Sequence, residues 1–379
     1  MNGMSSRPAT VITGVTGCIG SLVAQKLLAD SNAHLLLPIR PHHRPESVIA
    51  RLARDLPSAQ IAARVTFIPL PPAVAVAGLA AKLRQWQVDE FIHCAGCVDY
   101  FHRENLAKGN PELTGAFVEL ARMLSVRRFV FISTAFSSGY RDGLVLETLH
   151  DDTKDDPTEY TRSKREAEAI VAGSGLPYLI IRPSIVIGDS RDGHYSGKRY
   201  GLYQLWYAAE KLMCVQYVPR IYAIAPRVPL QVIHQDAFQD GLLAACREQP
   251  DGSIVHLVSR AESLPTVRDV WDQWLLTVSR PREIYYFDRL ADVPLEKLSR
   301  QQQVWVELTA VNVDISSRPW QFETTGLDRL RRNGVNFTDA TAQSILTCQQ
   351  RFITGSERVR SFMDKFKNER AADPHIIEC

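Results

Sequence analysis

The stretch Val11–Gly20, VITGVTGCIG, sets three glycines between a β-branched run and SLVAQKLLAD, whose apolar residues recur three and four apart as on one face of a helix. A strand that enters a glycine turn and leaves as a helix aims backbone N–H groups and the positive helix end at one point, a setting suited to a pyrophosphate. Gly14 would allow the sharp reversal, Gly17 the approach of phosphate oxygens, and Gly20 the contact of helix with strand. The spacing is G-x-x-G-x-x-G, which alone would also serve as a plain tight turn. Thr13, Gly14, Thr16, Gly17, Cys18, Ile19 and Gly20 are the candidate phosphate-facing residues, and the rest of the chain must decide between the two uses.

The same rhythm continues outward. Apolar runs recur at 9–14 (ATVITG), 34–40 (HLLLPIR), 64–70 (RVTFIPL), 90–96 (EFIHCAG), 127–134 (RRFVFIST) and 177–183 (PYLIIRP), with helical patterns such as ESVIARLARDL and PELTGAFVELARML between them. Alternating strands and helices predict an α/β fold, a Rossmann-type doubly wound parallel sheet, with a smaller, mostly helical C-terminal substrate region. Residues 1–190 form the expected nucleotide-binding domain, with strands returning to it from about 228–260, and residues 191–379 the interleaved substrate region. The returning pieces are VPLQVIHQDAFQDGLLAA and SIVHLVS. The aromatic-rich YGLYQLWYAAEKL reads either as an acyl-lining wall or as a packed helix core.

Charge and cysteines exclude several classes. Forty-four basic against 42 acidic residues give +2 without a basic block, so a nucleic-acid partner has no electrostatic support. MNGMSSRPAT lacks the pattern of a signal peptide, and no apolar run reaches membrane-spanning length, so a cytoplasmic protein without a transmembrane segment is expected. The seven cysteines lack the paired spacing of a disulfide framework. Cys94 and Cys97 form a CxxC, but His93 and His102 are poorly placed to complete a tetrahedral site, and no metal is expected. Asp151–Asp156, DDTKDD, reads as a solvated loop.

Two further features favour the phosphate reading of the turn. The second strand ends in Arg40, with Arg44 and Arg51 close behind and no acid before Glu46; a cation there suits a 2′-phosphate, so NADPH is expected over NADH. Tyr160 and Lys164, in EYTRSKREAEAIV, stand one helical turn apart and project from one face. An ammonium beside a phenol stabilises phenolate and makes Tyr160 a proton donor usable near neutral pH. Thr134, at the end of the strand RRFVFIST, is placed to hydrogen-bond the same oxygen, whereas its neighbour Ser133 is expected to close the strand by bonding backbone.

In order, TGVTGCIG, LLPIRP, HCAG, GNPELTG, FISTAFSSG, YTRSK and IRPSIVIGDSRDG resemble the extended short-chain dehydrogenase/reductase superfamily over residues 8–260. Within it, the chain is most similar to the branch of fatty acyl-CoA reductases (male-sterility-type domains) and thioester reductase domains. The resemblance implies a catalytic group of Thr134, Tyr160 and Lys164, with Lys164 also on the nicotinamide ribose and Asn110 organising the site and its proton relay. It further implies that Ala95 and Gly96 lie along the adenosine half of the cofactor, and that Pro183 and Val186 flank the carboxamide. The chain departs from the family after the third strand, where IPLPPAV, with Pro71 and Pro72, replaces an acidic segment that contacts adenine.

The expectation is an NADPH-dependent reductase of an acyl thioester, on coenzyme A or an acyl or peptidyl carrier protein, yielding aldehyde and, with a second hydride, alcohol. Oxidoreduction of a ketone or secondary alcohol uses the same residues without loss of a thiol. A sugar-nucleotide epimerase or dehydratase and a non-catalytic cofactor-binding protein are the further alternatives; the complete Thr/Tyr/Lys set argues against the last. A homo-oligomer is left open.

Overall fold

The computed structural model describes residues 9–54, 56–71, 75–98, 103–151, 155–197, 200–315 and 318–379. The chain divides into two compact units: one runs to Pro183 and regains Phe238–Leu257 and Phe322–Phe337, and the other holds Ser184–Ala237, Val258–Gln321 and Thr338–Cys379.

In the first unit, strands β1 (Ala9–Thr13), β2 (His34–Ile39), β3 (Val65–Pro69), β4 (Val88–His93) and β5 (Arg128–Ile132) alternate with helices α1 (Cys18–Asp30), α2 (Pro45–Leu52), α3 (Ser58–Ala62), α4 (Val76–Leu83), α5 (Arg103–Ala107) and α6 (Leu113–Met123). After the short β6 (Leu144–Val145) come α7 (Glu159–Ala172) and β7 (Tyr178–Pro183). With β11 (Ser253–Leu257), they form a seven-stranded sheet in the order β11-β7-β5-β4-β1-β2-β3. Every pairing in it is parallel. Every residue of β1 and β5 is buried, which is why these strands read as unbroken apolar runs rather than alternating ones.

The core on one side of this sheet is aromatic. Phe91 lies 5.3 Å from Phe129 and 5.7 Å from Phe117, ring centre to ring centre, with Ala121, Ala167 and Val171 of α6 and α7 closing over them. Burying each such ring contributes about 1.5–3 kcal/mol, so the faces of α6 and α7 are held firmly against β4 and β5. Helix α7 starts at a capping box in which Thr158 and Thr161 bond each other's backbone N–H, so its first turn, which carries Tyr160, is set.

The second unit begins directly after Pro183, with β8 (Ile185–Ile187) and α8 (Leu202–Met213), and continues through β9 (Arg220–Ile224) and β10 (Val232–His234). Its three-stranded parallel sheet joins β9, β12 (Glu283–Phe287) and the C-terminal strand His375–Glu378. Tyr203 and Trp206 of α8 are buried with Trp274 and Trp305 in this unit's core, so YGLYQLWYAAEKL is a packed helix.

Two details differ from the sequence expectation. Of the two segments expected to return, SIVHL does so, as β11 beside β7, and so does the second half of the other, from Phe238 onward. VPLQVIH instead forms β10 and pairs with β8 in the second unit. Pro183 has no N–H and ends β7, so the chain leaves the first sheet there rather than near residue 190. The segment Phe322–Phe337, unforeseen, also joins the first unit, where the Glu323 N–H donates to Val145 O at 2.8 Å. Among the described residues, no helix is long and apolar enough to cross a membrane.

Candidate active site

The strand order places the glycine turn at the point where successive strands change direction: β2 and β3 lie on one side of β1, and β4, β5 and β7 on the other. Crevices at such points, beyond the carboxyl ends of parallel strands, are where ligands bind in open α/β sheets. Gly14 has φ +74°, and a Cβ there would stand 2.6 Å from Ala95 N. A Cβ on Gly20 would stand 2.3 Å from Gly14 O. Both positions therefore demand glycine for contact, and Gly14 also for its backbone angle. Gly17 caps α1 without a side chain, Cys18 and Ile19 open the helix, and no acidic residue lies in its first turn, so nothing there opposes an anion.

Neighbouring groups hold the turn in shape. The Thr13 hydroxyl accepts the Ala95 N–H at 3.2 Å and bonds His93 Nδ1 at 2.7 Å, while His93 Nε2 bonds the Thr114 hydroxyl at 3.1 Å. Burial, with the Lys164 charge adding, pushes the His93 imidazole down to about 3, so the ring stays neutral, one nitrogen donating and the other accepting. Arg51 donates from Nη1 to Thr16 O at 2.7 Å, and its own carbonyl accepts Gln25 Nε2 at 2.9 Å. Arg51 thus braces the turn's backbone, a use its sequence position did not disclose. Arg40 and Arg44 are exposed just past β2, and the Arg40 side chain has no partner among the described residues. Pro71 is half-buried after β3; Pro72 lies outside the described residues, as do His102 and residues 152–154 of DDTKDD.

From the turn, a chain of contacts runs to α7. Asn110, 1% exposed, sits in a π-helical turn, Lys108–Glu112, a distortion often found at functional sites. Its Oδ1 accepts the Cys97 N–H at 2.9 Å, and its Nδ2 donates to Cys97 O at 3.0 Å and to Ser163 Oγ at 2.8 Å. Ser163 Oγ donates in turn to Tyr160 O at 2.7 Å. Gly96 leaves room for this amide, since a Cβ there would stand 2.8 Å from Asn110 Oδ1. Asn110 so joins the loop after β4 to the helix that bears Tyr160 and Lys164. Ser163 was not singled out in the sequence; its spacing of three from Tyr160 on a helix was the available signal. Burial pushes the Cys94 thiol up to about 12, which leaves it protonated and poorly nucleophilic.

At the end of β5 it is Thr134, not Ser133 as expected, whose hydroxyl bonds backbone. Thr134 Oγ1 accepts the Phe136 N–H at 3.5 Å as the cap of the short helix Ala135–Ser138, whereas Ser133 Oγ is buried without a partner among the described residues. A tight turn, not a strand end, follows β5, and its geometry selects the threonine. A hydroxyl that accepts from backbone still has its hydrogen to donate.

Tyr160 is half-buried and Lys164 buried, one turn apart on α7. Lys164 Nζ donates to Ile132 O at 2.6 Å and lies 4.1 Å from the centre of the Phe131 ring. Burial pulls its ammonium down to about 8, against the nearby Glu168, which raises it. The charged form prevails below that pH and is lost above it. For reduction, kcat/KM is therefore expected to fall on the alkaline side of about pH 8, approaching tenfold per pH unit. A profile flat up to about pH 10, the ordinary lysine range, would contradict this role. Pro183 ends β7 opposite Leu257, and Val186 belongs to the second unit, opposite Ile233 of β10.

The side-chain-free cradle of Gly14, Gly17 and Gly20, with the unpartnered Ser133 hydroxyl at the carboxyl end of β5, fits a bound dinucleotide. The family model of the male sterility protein, an NAD-binding domain, matches residues 12–236. No curated protein matches the sequence. Among solved structures, the terminal R domain from the myxalamid PKS-NRPS biosynthetic pathway is 17% identical with a TM-score of 0.72, over 93% of this chain and 92% of that one. The thiolation-reductase di-domain from an archaeal non-ribosomal peptide synthetase is 17% identical with a TM-score of 0.65, over 96% of this chain and 77% of that one. The Bordetella bronchiseptica enzyme WbmH, in complex with NAD+, is 16% identical with a TM-score of 0.59, over 92% of this chain and 98% of that one. With its glycine cradle, its seven-stranded parallel sheet and a family match across more than half its length, the chain belongs to the male sterility protein family, NAD(P)-dependent oxidoreductases of the extended short-chain dehydrogenase/reductase type.

Proposed function

We propose that the protein is an NADPH-dependent reductase of an acyl thioester, carried on coenzyme A or on an acyl or peptidyl carrier protein, releasing an aldehyde and a free thiol. A second round would give the alcohol. The observation that carries the reading is the run of contacts from Gly14 through Ala95, Gly96, Asn110 and Ser163 to Tyr160, which ties a phosphate cradle to a Tyr/Lys helix. The likeness in fold to a terminal R domain and to a thiolation-reductase di-domain supports a thioester over a sugar nucleotide as substrate.

The glycine turn, from Thr13 through Thr16 to Ile19 and Gly20, would hold the pyrophosphate on backbone N–H groups; Ala95 and Gly96 would hold the adenosine half, and Pro183 the carboxamide. Bound reduced nicotinamide supplies hydride. Tyr160 gives its phenolic proton to the carbonyl oxygen as negative charge develops there, and Thr134 donates a hydrogen bond to the same oxygen. Lys164 spends one of its three donors on Ile132 O, leaving two for ribose hydroxyls, and its charge eases loss of the phenolic proton. With hydride on the carbonyl carbon and the proton on its oxygen, carbon–sulfur cleavage expels the thiolate with the bonding electron pair as the Tyr160 phenolate takes the hydroxyl proton back; the carbonyl re-forms as aldehyde and the thiolate is protonated by solvent.

Arg40 is assigned to the cofactor's 2′-phosphate, being exposed past β2 and without a side-chain partner among the described residues. Arg40→Glu is expected to raise KM for NADPH about tenfold or more while leaving that for NADH nearly unchanged; equal changes would remove the assignment. The function itself is tested by supplying NADPH with a panel of acyl-CoA and acyl-carrier thioesters and trapping aldehyde as a hydrazone. Hydrazone formed only with thioester and NADPH together supports the reading. Oxidation of NADPH by simple ketones alone would replace it with a ketone or alcohol oxidoreductase.

A further inference from the structure

We propose that Glu168 is a positioning residue that locks the Thr134 turn to the Tyr160/Lys164 helix and sets a buried, Arg182-paired carboxylate one helical turn from Lys164. The inference rests on the assignment of Thr134, Tyr160 and Lys164 above. Tyr160, Lys164 and Glu168 follow one another at intervals of four on α7, hence along one stripe of the helix. Glu168 is wholly buried, and so is its partner Arg182 at the end of β7.

Both carboxylate oxygens of Glu168 are committed. Oε1 accepts Ser137 Oγ–H at 2.8 Å and Arg182 Nε–H at 3.0 Å, and Oε2 accepts from Arg182 Nη2 at 2.6 Å. Ser137 lies in the short helix that begins at Thr134, so one carboxylate ties together α7, the Thr134 turn and β7. Arg165, also on α7, supports the same joint by donating to Ser137 O at 3.2 Å. The remaining Arg182 donors hold Leu146 O at 3.3 Å and Thr148 O at 2.9 Å. A fully buried ion pair is weak evidence of a gain in stability, because desolvation cancels much of the attraction. Its use here is geometric, since it fixes which groups stand beside the reacting oxygen.

The electrostatic half follows from what surrounds Lys164. On β4 and the loop after it, His93 is neutral and Cys94 protonated; on α7 the charged neighbour is Glu168, whose own partner is Arg182 on β7. Glu168 is the largest influence raising the Lys164 ammonium against burial. Without that charge, the ammonium would be lost at lower pH, and with it the support for the Tyr160 phenolate.

Three variants of the whole chain test the two halves. Ser137→Ala keeps the ion pair and removes only the tie to the turn; kcat should fall about tenfold with melting temperature and NADPH dissociation constant unchanged. Glu168→Gln removes the charge and should move the alkaline limb of kcat/KM down by about one pH unit, and Glu168→Asp, which restores charge but not reach, should return the limb without returning kcat. Should Glu168→Gln fail to fold, Ser137→Ala still decides. An active wild type whose Ser137→Ala variant keeps full kcat, or whose folded Glu168→Gln variant keeps its alkaline limb, overturns this inference alone. A wild type inert toward every thioester defeats instead the functional reading beneath it.

Discussion

Tyr160→Phe is expected to lower kcat by about 10²–10⁴-fold, with the NADPH dissociation constant changed little. The variant removes one hydroxyl from a half-buried side chain and leaves the helix around it intact, because the cap at Thr158, the Ser163 bond to Tyr160 O and the Lys164 bond to Ile132 O are all independent of the phenol oxygen. What disappears is the proton for the developing oxyanion. Thr134 still donates a hydrogen bond there but cannot replace that proton at neutral pH, a hydroxyl of this kind being far too weak an acid. A Phe variant with kcat within about threefold of wild type, against the loss a general acid should carry, would remove Tyr160 from its role.

Gly20→Ala is expected to abolish measurable cofactor binding and to cost stability. Its new methyl carbon would stand 2.3 Å from Gly14 O and 2.7 Å from Val15 N, both backbone atoms that have no rotamer by which to retreat. Overpacking of this sort costs about 1–3 kcal/mol even where neighbours adjust. Here the adjustment must displace the Gly14–Gly17 turn, whose 2.8 Å backbone bond shapes the cradle. Gly78, with no atom within 4 Å of an added Cβ, is the internal control: Gly78→Ala should leave both binding and melting temperature near wild type. Tryptophan-fluorescence titration with NADPH, alongside thermal melts, separates lost binding from lost folding. Normal NADPH affinity in Gly20→Ala would contradict the placement of the pyrophosphate at this turn.

The first sheet was legible because β1, β4, β5 and β7 are buried strands whose apolar runs nothing in the sequence disguises. The glycine turn was legible for a different reason. Its residues are forced by backbone contact, and such contact leaves glycine as its trace. The pairing of β10 with β8 was not legible, because three-residue strands carry almost no register signal.

Within the candidate site, TGVTGCIG, HCAG and YTRSK lie on elements whose types the sequence foretells, but the bonding partners of their residues lie elsewhere in the chain. Arg51 looks like a second phosphate cation until Thr16 O is found against it. Ser133 and Thr134 differ by one position, and only the short helix after them shows which hydroxyl meets backbone. The Glu168–Arg182 pair joins α7 to β7, and neither residue stands out among the other charged side chains of the sequence. Asn110 is marked in the sequence only by the resemblance of GNPELTG to the family; the π-helical turn that carries its amide to Cys97 and Ser163 leaves no local pattern.

The most direct test of thioester reduction is the ratio of thiol released to NADPH consumed, followed in one cuvette with purified protein and a saturating acyl-CoA or acyl-carrier substrate. The account predicts strict coupling: one thiol per NADPH if the product is aldehyde, or one per two if it proceeds to alcohol, with both signals absent in Tyr160→Phe. NADPH oxidation without any thiol, on a substrate whose thioester survives intact, would contradict it.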